Sequence, residues 1–253
     1  MTKLFCGIDF GTTNSSVAVS NGDRVRVLDL DPTNDLPASL PSLLYISRDG
    51  ERIVGRSAAN TFIDRNVGRE VLLKKVDLGV SIEAYVASEP DKSESYRPRD
   101  EIDDVREAVR AHALVEVNSP GRLFQSLKTS LRFAAFKGTE IFGEHFQIEE
   151  LTAMILQKMK DAVDMEAGED VDTAVFGRPV RFSTNPEEDR IAEERLRRAA
   201  TLVGFKNVLF FYEPVAACVE YAIEGDRKQN LMVVDIGGGT CDVCIMEFGG
   251  QQG

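Results

Sequence analysis

No run of apolar residues in this 253-residue chain approaches the roughly 20 needed to span a bilayer as a helix. The amino-terminal stretch begins like a short secretion signal, but Asp9 interrupts its apolar run too early to complete one. Basic residues are also scarce: 30 Lys and Arg stand against 42 Asp and Glu, a formal net charge of −12. That balance offers no clustered basic face for nucleic acid. Histidine occurs twice, and neither His112 nor His145 has a partner constellation in the sequence. The expectations are a cytoplasmic protein with neither a membrane nor a nucleic-acid partner.

Cysteine is limited to Cys6, Cys218, Cys241 and Cys244, all within apolar strand or helix patterns where a thiol acts as a small hydrophobe. Cys241 and Cys244 have CxxC spacing, which raises zinc or redox chemistry. Residues i and i+3 of a strand face opposite ways, however, and no second CxxC or His pair exists. Buried structural cysteines are the expectation. The rest of the composition, 43% hydrophobic and 28% charged, is that of a globular protein. The length suffices for one large domain or two modest ones.

What is present is a pattern written twice. Residues 4–19 (LFCGIDFGTTNSSVAV) and 231–245 (LMVVDIGGGTCDVCI) each read as an apolar strand carrying an Asp, a turn of small residues, and a second strand. Asp followed two residues later by Gly is weak alone. The shared context, strand before and alternating strand after, makes it specific. A turn without bulky side chains lets backbone N–H groups approach phosphate oxygens as an anion nest. Thr12, Thr13 and Thr240 add hydroxyls. Asp9 and Asp235 would repel bare phosphate but suit a hydrated Mg²⁺ between them and the phosphates. Two ordinary hairpins are the plain alternative, against which Gly237–Gly239 would weaken a strand for no packing gain.

Between the copies, Val25–Leu30, Ser39–Ser47 and Arg52–Val54 read as short strands, and Ala87–Glu101 as a polar surface loop. Asp103–Ala113 reads as a short amphipathic helix, with His112 packed or solvent-facing, and His145 falls in a loop-like stretch. From residue 146 the pattern sharpens. Ile148, Leu151, Ile155, Met159 and Val163 repeat at helical spacing. Val171–Phe176 is a strand, and Asn185 caps a helix with Pro186 at its first position, which Gly204 ends. Asn207–Tyr212, Pro214–Ile223 and Leu231–Asp235 continue the alternation, giving an α/β class with a central sheet.

On these residues the chain resembles a known family. Residues 7–19 (GIDFGTTNSSVAV) resemble the first phosphate motif of the seventy-kilodalton heat-shock (DnaK-type) chaperones, and residues 234–242 (VDIGGGTCD) their second. Residues 211–222 (FYEPVAACVEYA) resemble the Glu-Pro helix start that links their two lobes. The runs 175–182 (VFGRPVRF) and 204–217 are closer to the divergent YegD-like branch, which keeps the ATPase core. The resemblance implies the ribonuclease-H-like, actin-type ATPase fold. Lobe I would span residues 1–228, with a more irregular subdomain at about 33–145, and 229–253 would be the first hairpin of lobe II. It implies binding of ATP or ADP with Mg²⁺ and hydrolysis of ATP, with client or co-chaperone proteins as further partners.

Residue by residue, the resemblance implies that Asp9 and Asp235 hold the hydrated Mg²⁺, with Asp235 also counted among the catalytic residues. Gly11, Thr12, Thr13, Asn14, Gly237, Gly238, Gly239 and Thr240 would cradle the phosphates. Glu213 matches a carboxylate that orients the attacking water or serves as base, though a charge partner for the helix start is a simpler role. Asp242 matches a second acid near that water, or is a solvated strand residue. The family's phosphate-positioning lysine is matched best by Lys128 in RLFQSLKTSL (122–131), with Lys74 and Lys75 as alternatives. Departures include Gly177-Arg178-Pro179-Val180, Cys241 at an often aromatic position, and about 50 extra residues before Lys128. Because the second copy is followed by few residues, the chain is expected to be a fragment with weakened ATP binding and little activity of its own. A sugar-kinase or actin-like relative, and a catalytically silent interaction module, are the competing readings.

Overall fold

The computed structural model describes residues 4–86, 105–222, 229–238 and 241–248. The expected surface loop at 87–101 and two expected phosphate-turn residues, Gly239 and Thr240, lie outside them.

Strands β1 (Phe5–Asp9) and β2 (Asn14–Ser20) form the first hairpin, with Gly7 opposite Ala18 and Asp9 opposite Ser16. On the far side of β1, β12 (Thr173–Arg178) runs parallel, aligning Cys6 with Ala174 and Ile8 with Phe176. Parallel β13 (Asn207–Tyr212) follows, with Thr173 opposite Asn207. The order β13-β12-β1-β2-β3 is completed by β3 (Val25–Val27), while β4 (Leu40–Pro41) also pairs with β2. Alternation decides the faces: Cys6, Ile8, Phe10, Val17, Val19, Ala174, Phe176 and Val208 all enter one core.

Two helices close that core. Helix α3 (Ile148–Ala167) buries Ile148, Leu151, Ile155, Met159 and Val163, the stripe expected from the sequence. A capping box starts it: the Gln147 N–H donates to Glu150 Oε2 at 2.7 Å. Helix α4 (Pro186–Leu202) begins where the Asn185 side chain accepts the Glu187 N–H at 3.0 Å, and the chain turns at Gly204 with φ +104°. Lys160 of α3 is almost fully buried beneath the Phe205 ring. Its ammonium donates to Asp164 and to Asp170, both at 2.5 Å at their closest.

A second, three-stranded sheet in the order β6-β5-β9 joins β5 (Leu44–Ser47), β6 (Arg52–Val54) and β9 (Gly121–Phe124). Helix α1 (Arg56–Asn66), which the sequence reading had not anticipated, packs on β5 and β9. It is nucleated from a distance, because the Arg56 N–H donates to Oδ2 of buried Asp31 at 2.6 Å. Short helix α2 (Leu127–Ser130) follows β9, and the hairpin of β10 (Gly138–Ile141) and β11 (Glu144–Gln147) leads into α3. His145 therefore sits on a strand rather than in a loop, opposite Glu140. The strand expected over 25–30 stops at Val27; Leu28 and Leu30 are buried in a loop instead.

Residues 68–119 form a separate compact unit. It is a ribbon of β7 (Leu73–Val86) and β8 (Val105–Glu116), closed at its base by the Arg69–Glu116 ion pair and by Asn118, whose Oδ1 accepts the Leu72 N–H. The helix expected over Asp103–Ala113 is therefore a strand wherever the residues are described. Backbone pairing such as Ile82 with Val109 satisfies its N–H and C=O groups, and β-branched Val109 and Val115 suit a pleat. His112 is solvent-facing, one of the two alternatives expected for it.

Candidate functional site

The second hairpin, β14 (Gln229–Ile236) with β15 (Cys241–Phe248), sets Asp235 opposite Asp242. Helix α5 (Glu213–Ala222) follows β13 and packs against β12, β13, β14 and β15. Between these elements and the first hairpin lies a cleft of about 760 Å³. Its walls include Asp9, Gly11, Thr12, Thr13 and Asn14 from the first turn, and Asp235, Gly237 and Gly238 from the second. Lys128 from α2 and Glu213 from α5 complete it. The fold thus gathers these ten residues from four separated stretches of sequence. Asp242 is not on the cleft wall. Lys74 and Lys75 belong to the 68–119 ribbon.

The two turns approach closely. A methyl group added at Gly238 would lie 1.7 Å from Thr13 Oγ1, so only glycine permits this approach. The first turn is braced from behind by two buried serines. Ser42 Oγ donates to the Gly11 carbonyl at 2.9 Å and lies 2.9 Å from Ser15 Oγ, while the Ser42 N–H donates to the Thr13 carbonyl at 2.8 Å. The Gly11 N–H donates to Ser15 Oγ at 3.2 Å, so in this arrangement Gly11 shapes the turn while its own N–H is already engaged. Ser42 escaped the sequence reading because nothing local marks a serine 31 residues away as a partner of Gly11.

The charged centre of the cleft is an ion pair. Lys128 Nζ donates to Glu213 Oε1 at 2.7 Å, with the lysine nine-tenths buried. Gly177, at the floor beside them, makes room for the glutamate: a Cβ there would sit 3.1 Å from Glu213 Cγ and 3.4 Å from Oε1. Gly177 stood in the sequence only as a departure from a family pattern, and its role comes from this proximity.

Three carboxylates line the cleft against one lysine. Burial pushes Glu213 above the ordinary carboxylate range; Lys128 pulls it back through charge and hydrogen bond, and Asp9 and Asp235 push it further up. Asp9 keeps solvent contact inside the cleft, yet protein packed around it raises its pKa, opposed by Lys128 and reinforced by Asp235. Asp242 is likewise raised, by desolvation and then by Asp235, with Lys128 opposing. Such mutual repulsion makes the cleft a place for a cation with hard oxygen partners. Among the described residues, no three His, Cys, Asp or Glu side chains cluster tightly enough to bind a metal directly. The carboxylate oxygens of Asp9 and Asp235 on the cleft wall are hard donors of the kind that suit a hydrated Mg²⁺.

Cysteine departs from expectation. Cys6 and Cys218 are buried, but Cys241 is exposed and Cys244 half-buried. The hairpin's outer face has no covering layer among the described residues, so β15 alternates between exposed and partly covered positions. That alternation puts Cys241 and Cys244 on opposite faces.

Comparison with protein-family models matches the Hsp70 protein family over residues 5–130 and 126–252. The chain belongs to the Hsp70 family. Membership implies the actin-like ATPase fold and an Hsp70-type nucleotide-binding domain, and the mixed α/β structure described above agrees with that class. Both hairpins, Lys128 and Glu213 lie within the matched residues.

Proposed function

We propose that this Hsp70-family chain binds Mg-ATP in the cleft between the two hairpins and contributes the residues that hydrolyse it to ADP and phosphate. The observation that carries the reading is the Lys128–Glu213 ion pair, placed where both small-residue turns converge. The backbone of the first turn, with Thr12 and Thr13, and the turn at Gly237 and Gly238 would hold the phosphates. Asp9 and Asp235 would hold a hydrated Mg²⁺, which supplies neutralisation of phosphate charge. Lys128 brings positive charge to the transferring phosphoryl group, and Glu213 orients or deprotonates the attacking water.

Glu213 suits that role because it is bonded on one side to Lys128 and held above the ordinary carboxylate range by burial. Asp242, coupled to Asp235 across the hairpin, tunes the charge of the metal-side carboxylate. We assign residues 1–228 to the first lobe of the domain and 229–253 to a hairpin of the second. We read the chain as a DnaK-type chaperone ATPase nearest the YegD-like branch, on the strength of the 175–182 and 204–217 runs and the added ribbon at 68–119.

Single-turnover ATP hydrolysis by the full-length protein, and by its Lys128→Ala and Glu213→Ala variants, tests this. Both variants should lose about 10²-fold or more in rate. Equal rates in all three would overturn the catalytic assignment.

A further inference from the structure

Lys128 stands on a helix that cannot hold itself. Helix α2 has four residues, too few to be stable through its own backbone bonds. Its entry residue, Ser126, lies in the left-handed region at φ +57°, and the Ser126 side chain makes no cap. Two apolar anchors, Leu127 and Leu131, are buried in the core, and the helix packs on α3. Those anchors fix one side of α2. The carbonyls at its carboxyl end still need donors from elsewhere.

Arg195 of α4 supplies them. Its Nη1 donates to the Leu131 carbonyl at 3.0 Å and to the Phe133 carbonyl at 2.9 Å. The side chain is nine-tenths buried, and its Nε lies 3.6 Å from Oε1 of Glu149, which is itself buried on α3. A guanidinium can serve both partners at once because its donors are fixed in one plane. One side chain thus joins α3, α4 and the exit of α2. The Leu131 N–H in turn donates to the Lys128 carbonyl at 3.3 Å, so the residue that Arg195 holds is bonded to the one that carries the ammonium. A buried ion pair is weak evidence of stability, since apolar residues of similar size often pack as well. What they could not do is bond two carbonyls.

We propose that Arg195, held by Glu149, is a positioning residue for Lys128: it clamps the exit of α2 and so sets where the Lys128 ammonium meets Glu213. Arg195 is not on the cleft wall, so its effect passes through the backbone of α2. Without the clamp, α2 keeps its apolar anchors while its carboxyl end is free to turn, and the 2.7 Å contact with Glu213 lengthens. The consequence for hydrolysis rests on the nucleotide reading; the clamp itself does not.

The test uses the full-length protein, with lysine acylation by an N-hydroxysuccinimide ester mapped by mass spectrometry, and with single-turnover ATP hydrolysis. One variant combines Arg195→Met with Glu149→Gln, which leaves no buried carboxylate unpaired. The other, Arg195→Lys, keeps the charge without the planar fork, and it carries the test if the first fails to fold. Lys128 should be acylated about threefold to tenfold faster in the first variant, the opening that one or two lost hydrogen bonds allow, and less so in the second. Lys160, buried in the same core and tied by Asp164 and Asp170, should label at its wild-type rate, which separates local release from general loosening. The hydrolysis rate at saturating Mg-ATP should fall about tenfold in the first variant, with the half-saturating concentration nearly unchanged. In a Lys128→Ala background the same changes should lower the rate no further. Unchanged labelling of Lys128, equal acceleration at Lys128 and Lys160, or an additive rate loss in the Lys128→Ala background would each overturn the proposal. Labelling needs no nucleotide, so a wild-type protein that hydrolyses no ATP would refute the ATPase reading and leave Lys128 labelling to decide the clamp.

Discussion

Lys128 and Glu213 stand 85 residues apart in sequence and 2.7 Å apart at their charged atoms. Each is mostly enclosed, so neither charge is well solvated without the other. Removing the lysine alone leaves a glutamate facing Asp9 and Asp235. Lys128→Met should therefore cost about 3 kcal/mol of stability, the usual scale for breaking a buried pair. The double variant Lys128→Met, Glu213→Gln should recover most of that loss while remaining inactive. Chemical denaturation of the two single variants and the double variant checks this, and additive losses would show that the pair is not coupled.

Gly177→Ala places a methyl group 3.1 Å from Glu213 Cγ, tighter than ordinary contact, and the glutamate must yield by a few tenths of an ångström. Stability should change little. Because a displacement of about 1 Å in a catalytic group costs roughly 10²-fold, this smaller one should lower kcat about tenfold with KM nearly unchanged. A matched loss in KM and none in kcat would place Gly177 outside the chemistry.

Ser42→Ala removes the hydroxyl that donates to the Gly11 carbonyl and contacts Ser15. The first turn should loosen, with about 1–2 kcal/mol of stability lost as a buried polar group goes unsatisfied. Nucleotide binding should weaken by a similar factor, and Ser42→Thr should restore part of both. Calorimetric unfolding with and without Mg-ATP separates the two effects.

The carboxylates make opposite contributions to pH dependence. Asp9, Glu213 and Asp242 have raised folded-state pKa values, so the stability they contribute is full below the ordinary carboxylate range, near about 4, and declines as pH rises through the raised values. Asp31 differs: burial pushes it up, but hydrogen bonds from Thr33 and the Arg56 N–H and the charge of Lys158 outweigh that and leave it lowered. Its contribution is present above the ordinary range and is lost as pH falls below it. Ligand-free Asp9→Asn should consequently unfold at a higher temperature than the wild type at pH 7, with the advantage shrinking toward pH 4. Mg-nucleotide should stabilise the wild type and not the variant. A pH-independent difference would remove Asp9 from the repulsive cluster.

Much of this was legible because local rules and tertiary packing agreed. The α3 stripe, the Asn185 cap and the alternation around Asp9 each specify one local structure, and the core accepts it. The ribbon misled because Val105, Val109 and His112 also fit a helical stripe; the partner strand that decides the matter lies about 30 residues away in β7. Helix α1 was missed for a similar reason, since its start is capped by Asp31 rather than by a neighbour. At the site, the small-residue turns that line the cleft are visible as motifs, and the flanking pattern favours Lys128, which the cleft contains, over Lys74 and Lys75. Gly177 and Ser42 act only through long-range contacts, which no local signal encodes.

The most direct test of two facing phosphate turns is ³¹P NMR of ATP titrated with the chain, with and without Mg²⁺, which registers even weak binding. The β- and γ-phosphorus signals should shift and broaden more than the α signal, with Mg²⁺ required, and the effect should be lost in Asp9→Asn and in Asp235→Asn. Unperturbed phosphorus signals, or a perturbation that survives both substitutions, would contradict a nucleotide site between the hairpins.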